Sequence, residues 1–267
     1  MGLAVETIAG RAVNPGAALP GLQLTNNTNS SFTVRAASET VPAFIDSMWA
    51  KGATAGVFNL HSPRLHDNIT GISFPYAANN PGDFLYGVYG QPVVPNDPLL
   101  AFISGGAAET DNGFATIWYG DLDGIDARLA TSAEVEPRVQ NIVTVRVTVS
   151  GAATLGDWSA GTPINATDDK LHADKIYALL GYLATNPVGA IAIAGADTGN
   201  LRVGGPGNGA GTPFDLRWYF VRTAAETGRP YIPLIKANNK GGTNVFQCDN
   251  AAGANNDVFL TFAELSA

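Results

Sequence analysis

The sequence predicts a mainly β protein built as two β-sandwiches side by side, each with one short helix; the alternative is one large decorated sandwich. Three observations lead there. Short strand-like runs recur along the chain and are separated by Gly, Pro and Asn turns, the pattern of sandwiches and barrels rather than of βαβ units. Gly 31 and Pro 16 in 267 residues supply those turns, and a hydrophobic content of 45% is enough for a full core. An outline of one helix followed by several strands occurs twice, about one domain's length apart. The division falls into residues 1–135 and 136–267.

In the first half, Gly2–Val13 alternates loosely and reads as a strand closed by Asn14-Pro15-Gly16. A polar turn precedes a short strand at Phe32–Ala36. Ser38–Lys51 carries a helix pattern: Ser38 as cap, Val41, Phe44, Ile45, Met48 and Trp49 on one face, Pro42 in the first turn and Gly52 as the stop. Strand-like runs follow at Ala55–Leu60, Ile69–Phe74, Phe84–Val94, Leu99–Ser104 and Phe114–Asp121. Asp121–Pro137 is acidic and reads as a linker or short helix.

Val139–Val149 is the cleanest strand in the chain, with valines on one face and Thr144, Arg146 and Thr148 on the other. After a Gly-rich loop at Ser150–Thr167, Asp168 stands where a helix cap belongs, and Leu171, Ile176, Leu179, Leu180 and Leu183 form a stripe stopped by Asn186-Pro187. Strands then read at Val188–Ala194, Leu201–Val203, Phe214–Arg222, Tyr231–Ala237, Asn244–Cys248 and Val258–Ala263, with a glycine loop at Gly204–Gly211.

Charge narrows the function classes. Charged residues make up only 14% of the chain, which suits burial of neutral surface against copies of itself. A net charge of −8 with scattered basic residues argues against direct nucleic-acid binding. The single cysteine, Cys248, excludes an intrachain disulfide and a cysteine zinc site. The N-terminus reads as no signal peptide, and no apolar run reaches the ~20 residues a membrane helix needs. Without a signal peptide, the N-x-S/T sequons at Asn26, Asn29, Asn68 and Asn165 read as chance in an Asn/Thr-rich surface.

No stretch carries a catalytic signature, so the sequence predicts no enzyme, no cofactor and no assigned site residues. Ser159 in GDWSAG lacks the spacing and the strand-to-helix context of a nucleophile elbow. His61, His66 and Asp67 crowd together, but Pro63 breaks the spacing and no third ligand is identifiable, so a polar loop is expected. Asp121, Asp123 and Asp126 flank Gly124 without the glycine and glutamate positions of a calcium loop, and read as a solvated turn. Gly204–Gly211 lacks the Lys-Ser/Thr ending of a phosphate loop and reads as a connection between strands or a clasp between subunits. Trp118, Tyr119, Trp158, Trp218 and Tyr219 could stack on sugars, yet at strand spacing such residues are usually core or interface.

The doubled layout of Ser38–Lys51 and Asp168–Leu183 with the strand runs after each, together with low charge and one cysteine, resembles the jelly-roll major capsid proteins of tailless icosahedral viruses, the double jelly-roll group, bacteriophages included. The resemblance covers the whole chain and is one of architecture. It implies two eight-stranded jelly rolls in one chain, where about fourteen strands can be placed from the sequence. It also implies self-assembly into homotrimeric, pseudo-hexagonal capsomers of a virion shell, with synthesis in the host cytoplasm. Other virion proteins or an internal membrane would lie between shell and genome. The expectation from a different class is a carbohydrate-binding, lectin-like module with an exposed aromatic platform. A secreted β-sandwich hydrolase is disfavoured by the missing leader and motif.

Overall fold

The computed structural model describes residues 2–18, 22–26, 34–35, 43–64, 71–81, 90–94, 96–208, 216–249 and 253–266. The first half contributes β1 (Ala4–Val13), β2 (Leu22–Gln23), β3 (Thr25–Asn26), β4 (Ala43–Lys51), β5 (Gly56–His61), β6 (Ile72–Tyr76), β7 (Gln91–Val93), β8 (Leu100–Ser104) and β9 (Thr110–Tyr119). They form one sheet ordered β3-β1-β9-β4-β7 and a second ordered β2-β8-β5-β6. The second half contributes β10 (Leu129–Ala130), helix α1 (Ser132–Val135), β11 (Val139–Val149), β12 (Thr162–Pro163), β13 (Ile176–Ala184), β14 (Ala190–Ala194), β15 (Val203–Pro206), helix α2 (Tyr219–Thr227), β16 (Ile232–Lys236), β17 (Asn244–Cys248) and β18 (Asn256–Leu265). Its sheets run β10-β16-β13-β18-β11 and β12-β17-β14-β15.

The chain is mainly β, and each half is an antiparallel β-sandwich. With the two-residue strands β3 and β10 set aside, both halves have one strand order. One sheet runs first, eighth, third, sixth, and the other second, seventh, fourth, fifth. No sheet mixes strands of the two halves among the described residues. The passage between them lies after Tyr119, and β10 already pairs with β16 of the second sandwich.

The third strands share a detail that sequence similarity does not reveal. β4 bulges at Asp46, between Ile45 and Ser47, opposite Ile117 and Thr116 of β9. β13 bulges at Leu180, between Leu179 and Gly181, opposite Phe262 and Thr261 of β18. The extra residue sits at one register position in both sandwiches, so Asp46 corresponds to Leu180 and Thr116 to Thr261.

These two strands are where the sequence misleads. The helix expected at Ser38–Lys51 is strand from Ala43 onward, and residues 38–42 lie outside the described residues. The helix expected from Asp168 is an irregular segment with one turn at residues 173–174, followed by β13. Asp168 caps a strand edge instead, its Oδ2 accepting from the Arg146 amide at 3.3 Å. β4 and β13 are buried at nearly every position, as are β1 and β9, which the sequence did mark as strands; in β4 and β13 the large apolar residues also fall at helical spacing. A strand covered on both faces loses the period-two alternation that marks a half-exposed one.

The opposite error occurs at Phe214–Arg222. Residues 214–215 lie outside the described residues, and Tyr219–Thr227 is α2, which buries Tyr219, Phe220, Thr223 and Ala224 on one face and ends at Gly228 with φ 67°. Gly followed by Pro230 is a helix-stop signature that outweighs the strand propensity of Trp-Tyr-Phe-Val. Asp121–Pro137 contains α1, closed by a capping box between Thr131 and Glu134, and a following 3-10 turn. Of the strand expected at Phe32–Ala36, residues 32–33 and 36 lie outside the described residues, and Val34 and Arg35 are not strand.

Strands with one exposed face were legible. β11 has the expected bounds, with Val145, Val147 and Val149 buried and Thr144, Arg146 and Thr148 exposed. β17, which has no exposed position, also matches its expected bounds. In the second core Phe262 is fully buried, edge-on to Tyr177 with ring centroids 6.2 Å apart. Phe262→Ala should lower stability by about 3–5 kcal/mol, read as a lower urea midpoint. Thr144→Ala on the exposed face of β11 should change it by less than about 0.5 kcal/mol.

Candidate functional site

The residues singled out for chemistry do not converge. His61 is buried and its ring stacks on Phe102 with centroids 5.8 Å apart, whereas His66 and Asp67 lie outside the described residues. Asp121 accepts a hydrogen bond from the Gly2 amide at 3.1 Å, while Asp123 and Asp126 are exposed. Among the described residues no three His, Cys, Asp or Glu side chains are grouped closely enough to hold a metal ion. Ser159 is buried, accepts from the Gln247 amide at 3.0 Å and lies 3.1 Å from the Ala160 carbonyl, a strand-anchoring role. Tyr119, Trp158 and Tyr219 are buried and Trp118 is half-buried, leaving Trp218 as the largely exposed member of that set.

What the chain does build is a seam between the two sandwiches. The outer face of the β1-β9-β4 sheet packs on the β12-β17-β14-β15 sheet and on α2. At its centre Trp49 stacks on Phe114 with centroids 5.3 Å apart, and its Nε1 donates to the Gly189 carbonyl at 2.9 Å. Phe114 in turn meets Trp158 edge-on at 6.4 Å. Such aromatic pairs add about 0.5–1.5 kcal/mol beyond their buried area.

The glycine run belongs to this seam. It was expected to be a surface connection, but Gly204–Pro206 lies in β15 and is buried; residues 209–211 lie outside the described residues. The Thr7 amide donates to the Arg202 carbonyl at 2.6 Å, and the Thr7 hydroxyl accepts from the Gly204 amide at 3.0 Å. A Cβ at Gly204 would stand 2.1 Å from the Ile191 carbonyl oxygen, and one at Gly205 would stand 2.3 Å from the Tyr219 ring. Glycine is required there because backbone meets backbone and ring at van der Waals distance. Arg202 lies over Trp158 and Phe246, at 5.3 and 4.9 Å from the ring centroids.

Two buried ion pairs cross the seam. Lys51 Nζ meets Asp249 Oδ1 at 2.5 Å, with side chains only 4% and 16% exposed. Arg229 pairs with Asp46, the bulged residue of β4, and lies over the Phe44 ring at 4.0 Å. Trp118 Nε1 donates to the Pro230 carbonyl at 3.2 Å beside it. At the rim Arg11 bonds Asp157 at 2.5 Å. Pairs of this burial contribute little net stability over an apolar isostere, but removing one partner leaves a charge stranded. They therefore fix which face meets which.

Two carboxylates are held above their ordinary range. Burial pushes Asp46 up to about 6 against the opposing pull of Arg229. Burial likewise pushes Asp111 up to about 7, the Tyr76 hydrogen bond lowering it and nearby Glu109 raising it. The Tyr76 hydroxyl stands 2.7 Å from Asp111 Oδ2, while Oδ1 has no hydrogen-bond partner among the described residues. Burial and the Asp111 carboxylate push the Tyr76 phenol upward as well, so it stays a donor.

No protein-family model matches the chain, and no curated protein matches it. Among solved structures it is similar to the PBSX exported protein XepA, with a TM-score of 0.21 and 8% identity over 86% of this chain and 83% of that one. A likeness that slight carries no weight for fold or function.

Lys51→Met should cost about 3–5 kcal/mol by stranding Asp249, and adding Asp249→Leu should recover most of it; chemical denaturation of the single and double variants reads both. For the carboxylates, each folded-state pKa lies above the unfolded ~3.9. The folded state holds those protons more tightly, so their contribution is present below about pH 4 and lost as pH rises through about 6 for Asp46 and about 7 for Asp111. Asp111→Asn should match the wild type near pH 4 and exceed it at pH 8 by on the order of 1–3 kcal/mol, measured as melting curves across that range.

Proposed function

We propose that this chain is the coat subunit of an icosahedral virion, assembling through its own surfaces rather than performing chemistry. The observation that carries the reading is the repetition of one strand order in two sandwiches fused by an aromatic seam. That order is the one a jelly roll takes, an eight-stranded pair of Greek keys used by capsid proteins, lectins and cupins alike. Fold alone does not choose among these; the doubling favours the coat. A lectin or cupin needs one barrel with an open mouth or platform. Here the sheet of the second sandwich that could offer a platform is spent on holding the first.

Composition supports the same reading. Charge is 14% of residues, and every strand of both four-stranded sheets lacks Asp, Glu, Lys and Arg. Neutral faces can meet copies of themselves without burying unpaired charge. With a net charge of −8, the subunit leaves genome contact to other virion proteins or to a membrane beneath the shell. The proposed unit is a homotrimer, made in the host cytoplasm before shell assembly.

Sedimentation of the purified chain tests the proposal. The expected species is a trimer of about three times the 27.7 kDa chain mass that persists at moderate salt. A strictly monomeric species at high protein concentration overturns it.

A further inference from the structure

The bulge of β4 stands beside a cavity that the seam does not use. β7 pairs with β4 only at Ala43–Ile45, and among the described residues no strand carries that ladder past the bulged Asp46. An extra residue bends its strand and ends pairing on one side, which is why bulges recur next to binding and active sites. Beyond the bulge β4 faces β6, a strand of the other sheet, across the flank of the first sandwich. A cavity of ≈ 240 Å³ lies between them.

Its walls are largely apolar. Ile45 and Met48 of β4 are 4% and 1% exposed, and Ile72 of β6 is half-buried. Gly90 and Gln91, both half-buried, line it where β7 begins. Among the described residues that line it, only Asp46 is charged. The Asp46 side chain is 0% exposed; Oδ1 is taken by Arg229, and Oδ2 has no hydrogen-bond partner among the described residues. The carboxylate lies against the wall of the cavity, since a Cβ at Gly90 would stand 2.6 Å from Oδ1. A buried carboxylate oxygen without a donor is costly, and native structures supply one from protein, water or ligand.

The bulge itself does not need a carboxylate. Its counterpart in the second sandwich is Leu180, 2% exposed, next to which the Tyr182 amide donates to the Leu216 carbonyl at 2.9 Å. The pairing with Arg229 accounts for one oxygen of Asp46 and leaves the other over. A mainly apolar cavity with one such polar group is the form that small-molecule sites take.

We propose that this cavity binds a small uncharged molecule with an apolar ring and one hydroxyl, the hydroxyl donating to Asp46 Oδ2. Three observations set that class. An apolar cavity of about 150 Å³ holds benzene, so ≈ 240 Å³ takes a six-membered ring with a short polar arm. Asp46 and Arg229 already neutralise each other. An ammonium would therefore bring an unpaired charge into a buried site, and a carboxylate would meet Asp46 with like charge. Ile45, Met48 and Ile72 receive the ring, with the unbranched Met48 side chain able to adjust to its shape. The inference goes beyond the coat reading and does not depend on it.

Met48 makes the site observable. The chain has two methionines, Met1 and Met48, and Met48 lines the cavity. The test is a titration of the full chain, labelled at its methionine methyl groups, with benzyl alcohol, followed by NMR. The expected result is a saturable shift of the Met48 signal at millimolar concentrations. Toluene, the same ring without a donor, binds about tenfold more weakly, and benzylammonium and benzoate give no saturable shift. Ile72→Trp fills the cavity and removes the response, with circular dichroism melting to show that the variant folds; if it does not fold, the comparison of ligands on the wild type decides. Absence of a saturable Met48 shift overturns the proposal. Equal or tighter binding of toluene or benzylammonium overturns it too, and so does a response that persists in folded Ile72→Trp.

Discussion

The structure depends on one sheet being buried twice. The β1-β9-β4 sheet carries the core of the first sandwich on its inner face and the second sandwich on its outer face. Everything distinctive about the chain follows from that demand. The outer face presents large rings such as Trp49 and Phe114, and Thr7 meets the receiving strand through the Arg202 carbonyl and the Gly204 amide. Polar atoms that cannot reach water must find partners across the seam, as Thr7, Trp49 and Lys51 do. The hydrophobic contact supplies the driving force, and the buried charges and hydrogen bonds select the register.

The same demand explains which parts of the fold were legible in the sequence. β17 matched its bounds without an exposed face, and β11 could be bounded residue by residue because its buried valines alternate with exposed Thr144, Arg146 and Thr148. β4 and β13 could not. AFIDSMWAK has no alternation, and Ile45, Met48 and Trp49 fall at spacings that imitate a helix stripe; these residues serve two different neighbours, the core on one side and the seam on the other. The doubling was nevertheless readable. The two stretches mistaken for helices are the same strand of the two sandwiches, so their positions carried the repeat even though their type was misjudged.

The seam was harder to see than the fold because its signals resemble other things. A run of glycines is read as a loop unless one knows what lies against it, and Gly204 meets the Ile191 carbonyl, a contact made within a sheet. Lys51 and Asp249 are far apart in sequence, and no local pattern joins them. Two signals were available: the absence of charge from every strand of the four-stranded sheets, and the Gly228-Arg-Pro230 stop that marks α2 as a helix. Both concern neutral or polar residues, whereas strand and helix patterns are sought in the apolar ones.

A chain whose two halves differ mainly in what covers them suggests why a gene would keep both. On the proposed coat reading, each chain brings two sandwiches of one strand order to the assembly, and three chains would set six of them around an axis. Electron-microscope class averages of the purified, unmodified protein test that claim most directly. The account predicts threefold rings with six lobes of similar size. Isolated two-lobed particles at high concentration would contradict it.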